Sequence, residues 1–494
     1  MKVLLIYPEF PDTYWSFKHA LSFTGKRSAF PPLGLLTVSA MLPASWEKRL
    51  VDMNVKQLTK ADIQWADMVF ASAMLVQKDS LNSVIGLCKS YGKRVVLGGP
   101  YVTTTDVPAA DHVFIGEVES TFPEFVQDIQ SGDTKRVYQA VQRPSMALSP
   151  IPDFKLADLK RYSSMSIQYS RGCPFQCEFC DIIEIYGRVP RTKTNEQMIA
   201  ELNELFSIGW RGKVFIVDDN FIGNKQNVKQ LMPALIEWSQ QHNYPFTFIT
   251  EASVNIADES ELLDQMRRAG FNQVFLGIET PVEDSLKEAR KGQNTRRNLV
   301  DSVKKIQSYG LEVMAGFIVG FDNDPIDIFE RQINFIRESA IPLAMVGLLA
   351  ALPGTQLWHR LDREGRLLKQ SSGNNTDASL NFITKMDSNL LLEGYKSILK
   401  NIYSSKEYYR RVLDYLERSG KSFNGEESES TSLWKNLIAL IKLLFTLGIK
   451  DKEREEFWHF MYEIFTKHRK NLGYGLTRAA MGYHFRKLTD QYCR

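Results

Sequence analysis

Cysteine is scarce in this chain, five residues in 494, too few to staple a scaffold of this size with disulfides. An excess of charge of one sign is missing as well. Sixty-one Lys and Arg against 58 Asp and Glu leave a formal +3, which argues for no nucleic-acid partner. No apolar run reaches the roughly 20 residues that cross a bilayer. The opening MKVLLIYPEFPDTYW carries one early lysine and an apolar run too short for a signal peptide, then prolines and polar residues, so it reads as a first strand. These absences point to the cytoplasm, where free thiols persist and can hold metal. What is present fits a folded chain: 44% hydrophobic and 24% charged residues exclude extensive disorder, and the length implies two or three domains. Three of the five cysteines, Cys173, Cys177 and Cys180, fall within eight residues.

Residues 1–145 alternate short apolar runs (3–7, 49–55, 68–74, 94–99 and 112–117) with helix-compatible stretches. In one of these, Leu81, Val84, Ile85 and Cys88 repeat at i, i+3, i+4, i+7. The alternation predicts an α/β fold with a doubly wound, Rossmann-like parallel sheet, whose ligands bind beyond the carboxyl ends of the strands. Pro144, Pro150 and Pro152 mark a linker, placed at 146–160. A second series fills 161–355, with apolar runs at 165–169, 213–217, 246–250, 273–278, 312–319 and 344–349 separated by helical segments. Six strands with crossover helices suit a partial β/α barrel, whose functional groups gather at the carboxyl ends of the strands. Residues 356–494 read as a helical C-terminal domain. Within it 420–432 reads as a polar linker, and 433–449, apolar but carrying Lys435 and Lys442, as a buried helix of a bundle rather than a membrane-surface helix. Nothing in the sequence supports a peripheral membrane contact.

The segment SRGCPFQCEFCD, residues 170–181, gives C-x3-C-x2-C just after the first strand of the second series. Thiolates suit zinc or iron–sulfur clusters. Structural zinc takes four protein ligands, and a fourth is missing locally: no histidine lies between His112 and His242, and no further cysteine before Cys493. Three thiolates on a four-iron cluster leave one iron open, as a catalytic site requires. Zinc and inert thiols are the competing readings. With Phe179 before the last cysteine and the barrel context, the loop resembles the signature of the radical S-adenosylmethionine (SAM) superfamily. The resemblance implies a [4Fe-4S] cluster on Cys173, Cys177 and Cys180 whose open iron chelates SAM. It also implies reductive cleavage of SAM to a 5′-deoxyadenosyl radical, with electrons from a flavodoxin- or ferredoxin-like donor. Later strand ends extend the likeness at Val217-Asp218-Asp219-Asn220-Phe221, at Glu251, at Gly277-Ile278-Glu279-Thr280 and between Gly316 and Gly320. They imply a SAM site built from Phe179, Asp219, Glu251, Gly277, Glu279, Gly316 and Gly320. Carboxylates there can accept from ribose hydroxyls or an ammonium group, and glycines admit a flat base. Arg171 is a candidate partner for the SAM carboxylate, whereas Lys291 reads as a solvated surface charge.

A parallel α/β domain ahead of such a barrel resembles the cobalamin-binding domain of the class B radical SAM enzymes. The likeness is carried by Tyr7-Pro8, Pro31-Pro32-Leu33-Gly34-Leu35, Ser72, Gly98-Gly99-Pro100 and Gly116-Glu117-Val118-Glu119. It implies cobalamin against Pro8, Leu35, Ser72, Gly98, Gly99, Pro100, Tyr101, Gly116 and Glu117, with Tyr101 near its lower face. One pattern is absent: no Asp-x-His-x-x-Gly occurs, and neither His19 nor His112 has that context, so no histidine of that motif ligates cobalt from below. The aromatic, basic segment 14–27 reads equally as a cover over the cofactor or substrate and as a loop packed on the sheet. The family likeness implies a methyltransferase acting on an unactivated carbon of a small or lipid-like metabolite. A non-methylating cyclase or oxidoreductase of the same architecture is the alternative. A methylthiotransferase needs a second cluster, for which only Cys88 precedes Cys173, and a non-enzymatic sensor does not require the ordered SAM elements.

Overall fold

The computed structural model describes residues 1–104, 109–369, 371–374, 379–419 and 433–493, so the expected linker at 420–432 lies outside the described residues. The first sheet is six-stranded and parallel, in the order β2-β1-β3-β4-β5-β6. Its strands are β1 (Lys2–Tyr7), β2 (Glu47–Asp52), β3 (Met68–Ser72), β4 (Arg94–Gly98), β5 (His112–Ile115) and β6 (Val137–Gln139). Alternate residues feed two cores. Val3, Leu5, Phe70 and Val96 join a core that continues into the barrel, while Leu4, Ile6, Val69 and Val95 pack on the opposite face. Burial on both faces is why the strands are near-continuous apolar runs. β6 has no such run, because only Tyr138 of its three residues is buried. The proline-marked connection is itself packed: Phe154 is buried, and Asp153 donates its N–H to the Leu36 carbonyl at 3.0 Å and accepts from the Ser39 hydroxyl at 3.0 Å.

The second series opens with β7 (Ser164–Ile167), followed by an antiparallel ribbon of β8 (Ser170–Arg171) and β9 (Arg191–Thr192) that brackets the cysteine loop. It continues through β10 (Gly212–Ile216), β11 (Phe246–Ala252), β12 (Phe271–Glu279), β13 (Glu312–Val319) and β14 (Leu343–Leu348). The six main strands are parallel in the order β14-β13-β12-β11-β10-β7, a barrel open between β7 and β14. An open edge leaves unpaired carbonyls that must be covered. Here two tyrosines do so: the Tyr14 hydroxyl donates to the Val346 carbonyl at 3.0 Å, and the Tyr403 hydroxyl to that of Ala344. The inserted segment 14–27 therefore leaves its own sheet and crosses to the barrel, and its helix Lys18–Thr24 packs on the C-terminal helix Leu472–Tyr492.

Helix Ser388–Ile402 packs on β14, and helices Ser405–Ser419 and Arg454–Lys467 pack in turn on one another and on the C-terminal helix Leu472–Tyr492. Arg478 is buried against Glu312 of β13 at 2.6 Å, and the Arg411 guanidinium donates to the Ile341 and Ile402 carbonyls at 3.0 and 2.7 Å. The expected buried helix at 433–449 is corrected by the structure. Helix Leu433–Leu443 and the turn of wider helix after it, Leu444–Lys450, bury Leu443 and Leu447 but leave Trp434 74% and Ile449 61% exposed. No helix among the described residues is long and apolar enough to cross a membrane.

Candidate active site

The carboxyl ends of both main sheets face one cavity of ≈ 1390 Å³. Tyr7, Ser72, Gly98, Gly99 and Gly116 line it from the first sheet, and Asp219, Glu251, Gly277, Glu279 and Gly316 from the barrel. Both topologies deliver ligands to these edges, and in the first sheet the reversal of strand order falls between β1 and β3, where Tyr7 and Ser72 stand.

The cysteine loop is pinned at its start by Asp218, whose carboxylate accepts from the Tyr169 N–H at 2.7 Å and the Ser170 hydroxyl at 2.6 Å. Cys173 donates its N–H to the Gly187 carbonyl at 3.2 Å, and Glu178 donates to that of Ala289 at 3.0 Å. The Glu178 carboxylate takes Arg360 in two bonds of 2.7 and 3.2 Å, tying the loop to helix Gln356–Arg363. Two side-chain amides donate to sulfur: Asn220 to Cys173 Sγ at 3.8 Å and Gln293 to Cys177 Sγ at 3.7 Å. Burial pushes the Cys173 and Cys180 thiols up, so metal binding would have to displace their protons. Among the described residues no three His, Cys, Asp or Glu side chains are gathered as ligands of a single metal ion. Three thiols on one loop fit a cluster, in which each thiolate takes its own iron.

Beside the loop stands a group of carboxyls. Burial, with Asp218 and Asp181 nearby, raises Asp219 to about 7, and its Oδ2 is buried without a hydrogen-bond partner. Burial, with Asp219 and Asp218 nearby, raises Glu251 to about 8. An orphaned buried oxygen demands a partner, and a cationic ligand group in the cavity would supply one. Glu279 sits at φ 62°, a left-handed conformation uncommon outside glycine, and pairs with Lys291. That pair needs Gly277, since a Cβ there would fall 2.5 Å from Lys291 Nζ. Lys291 is thus buried, not the solvated charge expected from the sequence. Arg171 is held by Glu117 and Glu119, both at 2.8 Å, and Arg191 reaches Glu117 at 2.6 Å. These pairs fasten the cysteine ribbon to the first sheet, and Arg171 also lines the cavity.

Leu35, Ser72, Gly98, Gly99, Pro100, Gly116 and Glu117 all line the cavity, as does Phe179 of the cysteine loop. Gly99, at φ 97°, could carry no side chain: a Cβ would lie 2.5 Å from Ser72 Oγ, so the backbone itself forms the wall. Three expected residues stand elsewhere. The Pro8 carbonyl is engaged by the Asn54 and Gln77 amides at 3.2 and 2.6 Å. Tyr101 is buried in the core on the far face of the sheet, and Gly320 donates its N–H to Asp324 at 2.8 Å. Phe179 and Asp181 of the cysteine loop line the cavity, and Cys173 and Cys180 are half-buried while Cys177 is buried. His112 lies at the amino end of β5, bonded to the Lys135 carbonyl at 2.7 Å, while His19 lines the cavity close to His484. Trp15, in the segment 14–27 whose place the sequence left open between a cover and a loop on the sheet, lines the cavity. It stacks on Phe215 of β10 at 6.1 Å and meets Phe275 of β12 at 5.2 Å; its aromatic neighbours in the insert were the available signal.

A parallel sheet and an open barrel sharing one cavity, with a three-thiol loop at its wall, define an α/β enzyme built around two cofactor domains. Family profiles agree with that division: B12 binding domain matches residues 27–126, Radical SAM superfamily 167–336, and Domain of unknown function (DUF4070) 355–494. The relative named Uncharacterized methyltransferase sll1242, from Synechocystis sp., is 43% identical over 98% of this chain and 91% of its own length. Hopanoid C-2 methylase of Rhodopseudomonas palustris is 36% identical over 93% of this chain and 88% of its own. The solved structure of the cobalamin-dependent SAM radical enzyme OxsB, with aqua-cobalamin and SAM bound, matches with a TM-score of 0.64 at 15% identity, covering 99% of this chain and 79% of that one. This chain belongs to the cobalamin-dependent radical SAM enzymes, with a [4Fe-4S] cluster, SAM and cobalamin as cofactors.

Proposed function

We propose that this enzyme transfers a methyl group to an unactivated carbon of a small or lipid-like metabolite. The observation that carries the reading is the shared cavity. At ≈ 1390 Å³ it exceeds the roughly 300–1,000 Å³ of a pocket for one small ligand, and both cofactor edges open into it. When bound, the cluster and SAM supply hydrogen abstraction and cobalamin supplies the methyl group. The chain's part is placement. Cys173, Cys177 and Cys180 hold the cluster. Asp219, Glu251 and the Glu279–Lys291 pair meet the charged parts of SAM, with Phe179 and the glycines at 277 and 316 beside its base. Ser72, Gly99 and Gly116 offer backbone to the corrin edge. In this scheme 1–145 carries cobalamin, 146–160 links, 161–355 carries SAM and 356–494 closes the barrel.

The substrate side supports an apolar skeleton. Trp15, Phe30, Phe215 and Phe275 form a wall of the cavity, with Phe30 and Phe215 centroids 5.1 Å apart, and rings of this kind exclude water and bind hydrocarbon. The name of the hopanoid C-2 relative is consistent with such a substrate. Electrons would come from a flavodoxin- or ferredoxin-like donor, and the five free thiols suit a reducing cytoplasm. The test is anaerobic turnover with SAM deuterated in its methyl group and polycyclic lipids as substrates. Labelled methyl in the product is the expected result. Formation of 5′-deoxyadenosine without label in the product would replace the reading by a cyclase or oxidoreductase.

A further inference from the structure

The exposed apolar face of the C-terminal helices has no role in this scheme. On the segment starting with helix Leu433–Leu443, Trp434, Leu437, Ile438, Ile441 and Phe445 recur at helical spacing and are all exposed, while the opposite face buries Leu443 and Leu447. A second stripe lies on helix Arg454–Lys467, where Trp458, Tyr462 and Phe465 follow i, i+4, i+7 and Tyr462 is 64% exposed. The Trp458 indole N–H donates to the Gly448 carbonyl at 2.9 Å, and helix Arg454–Lys467 packs on Leu444–Lys450, which joins the second stripe to the end of the first.

Cations predominate around this face. Lys442, Lys452 and Arg454 are exposed at one end, and Lys467 and Lys470 at the other. Lys450 lies over the Phe445 ring at 4.7 Å and Arg469 over Phe465 at 5.4 Å, their stems along the apolar surface and their charges at its rim. Of the carboxylates on this segment, Asp451 and Glu453 bind Arg486 and Glu463 binds Lys467, so that Lys442, Lys450, Lys452, Arg454, Arg469 and Lys470 still outnumber Glu455 and Glu456.

We propose that this face docks on an anionic lipid bilayer and draws the apolar substrate from it; the second half of that statement rests on the proposed function. Tryptophan and tyrosine with cationic residues at their rim are the composition of helices that lie at the headgroup level, and an anionic surface complements the cations. A second copy of the chain would bring the same cations together. The face also adjoins the site: helix Leu433–Leu443 packs on helix Lys18–Thr24, from which Lys18, His19 and Ser22 line the cavity.

The experiment is vesicle co-sedimentation of the reconstituted full chain, with phosphatidylcholine alone or mixed with phosphatidylglycerol. Binding to the mixed vesicles, released by salt and weakened about tenfold or more by W434S/I441S/F445S, is expected. The charge reversal K450E/R469E, which leaves the apolar face intact, should weaken it as well. Absence of binding to the mixed vesicles overturns the proposal. So does equal binding by both variants, or a patch-dependent dimer in ultracentrifugation without vesicle binding. Sedimentation needs no turnover, so failure of methyl transfer with binding intact removes the functional reading alone, and the converse removes the docking alone.

Discussion

The two ends of the cavity are built on opposite principles. At the barrel end, ionisable side chains crowd the strand termini: Asp218, Asp219, Glu251 and Glu279 line the cavity, with Lys291 paired to Glu279. At the end formed by the first sheet the wall is Ser72, Gly98, Gly99, Pro100 and Gly116, and the nearby carboxylates of Glu117 and Glu119 are held by Arg171 and Arg191. A compact dipolar ligand such as SAM needs point charges aimed at it. A broad macrocycle needs side chains removed so that backbone can approach. The buried arginine–glutamate joint keeps these two surfaces in register.

The comparison is broken most directly at the cysteine loop. Cys173→Ala, Cys177→Ala and Cys180→Ala should each reduce SAM cleavage to background, read as 5′-deoxyadenosine in anaerobic assays, because each removes one cluster ligand. Cys88→Ala and Cys493→Ala should keep it. Cys88 is buried in the core of the first sheet, where burial pushes its thiol up to about 11, and Cys493 lies in the C-terminal region beside the Lys396 carbonyl at 3.8 Å. Cleavage surviving the loss of any loop thiol would show that the barrel end is not the redox end.

The joint is the next target. Arg171→Ala leaves Glu119 and part of Glu117 buried without a counter-charge, and Arg171 is itself only 12% exposed. Breaking a buried pair in this way costs about 3–5 kcal/mol, measurable by denaturant unfolding, and Arg171→Lys should recover part of the loss because the charge remains but the fork geometry does not. A loss under about 1 kcal/mol would place the pair with weak surface bridges and leave the register of the two ends to be set elsewhere.

These elements also mark what could be read from the chain. The two strand series were legible because parallel strands buried on both faces are continuous apolar runs, and the cysteine loop because its spacing is local. The joint was not, since Arg171 and Arg191 meet Glu117 across 54 and 74 residues and no local pattern encodes such a meeting. Lys291 reads as a surface charge until the fold brings Glu279 to it. The segment 433–449 misled for another reason: apart from Lys435, Asn436 and Lys442 it is apolar on most sides, so its pattern does not say which apolar face is covered.

The smallest expected effect separates the ends by electrostatics. Glu251 belongs only to the barrel end and, in the cofactor-free protein, titrates at about 8 from an ordinary value of 4.5, chiefly through burial. Between those values the folded state keeps a proton that the unfolded state releases. The stability this contributes is therefore complete below 4.5 and is lost as pH rises through 8. Glu251→Gln removes the titration without changing the shape of the group. The cofactor-free variant should lose less stability than the parent between acidic and alkaline pH and exceed it at alkaline pH by about 1 kcal/mol or more. Thermal or denaturant melts across that range would show the divergence. Parallel curves would mean that Glu251 ionises as freely as a solvated carboxylate, and the barrel end would then lack the dry, carboxyl-crowded setting that distinguishes it from the glycine-lined wall opposite.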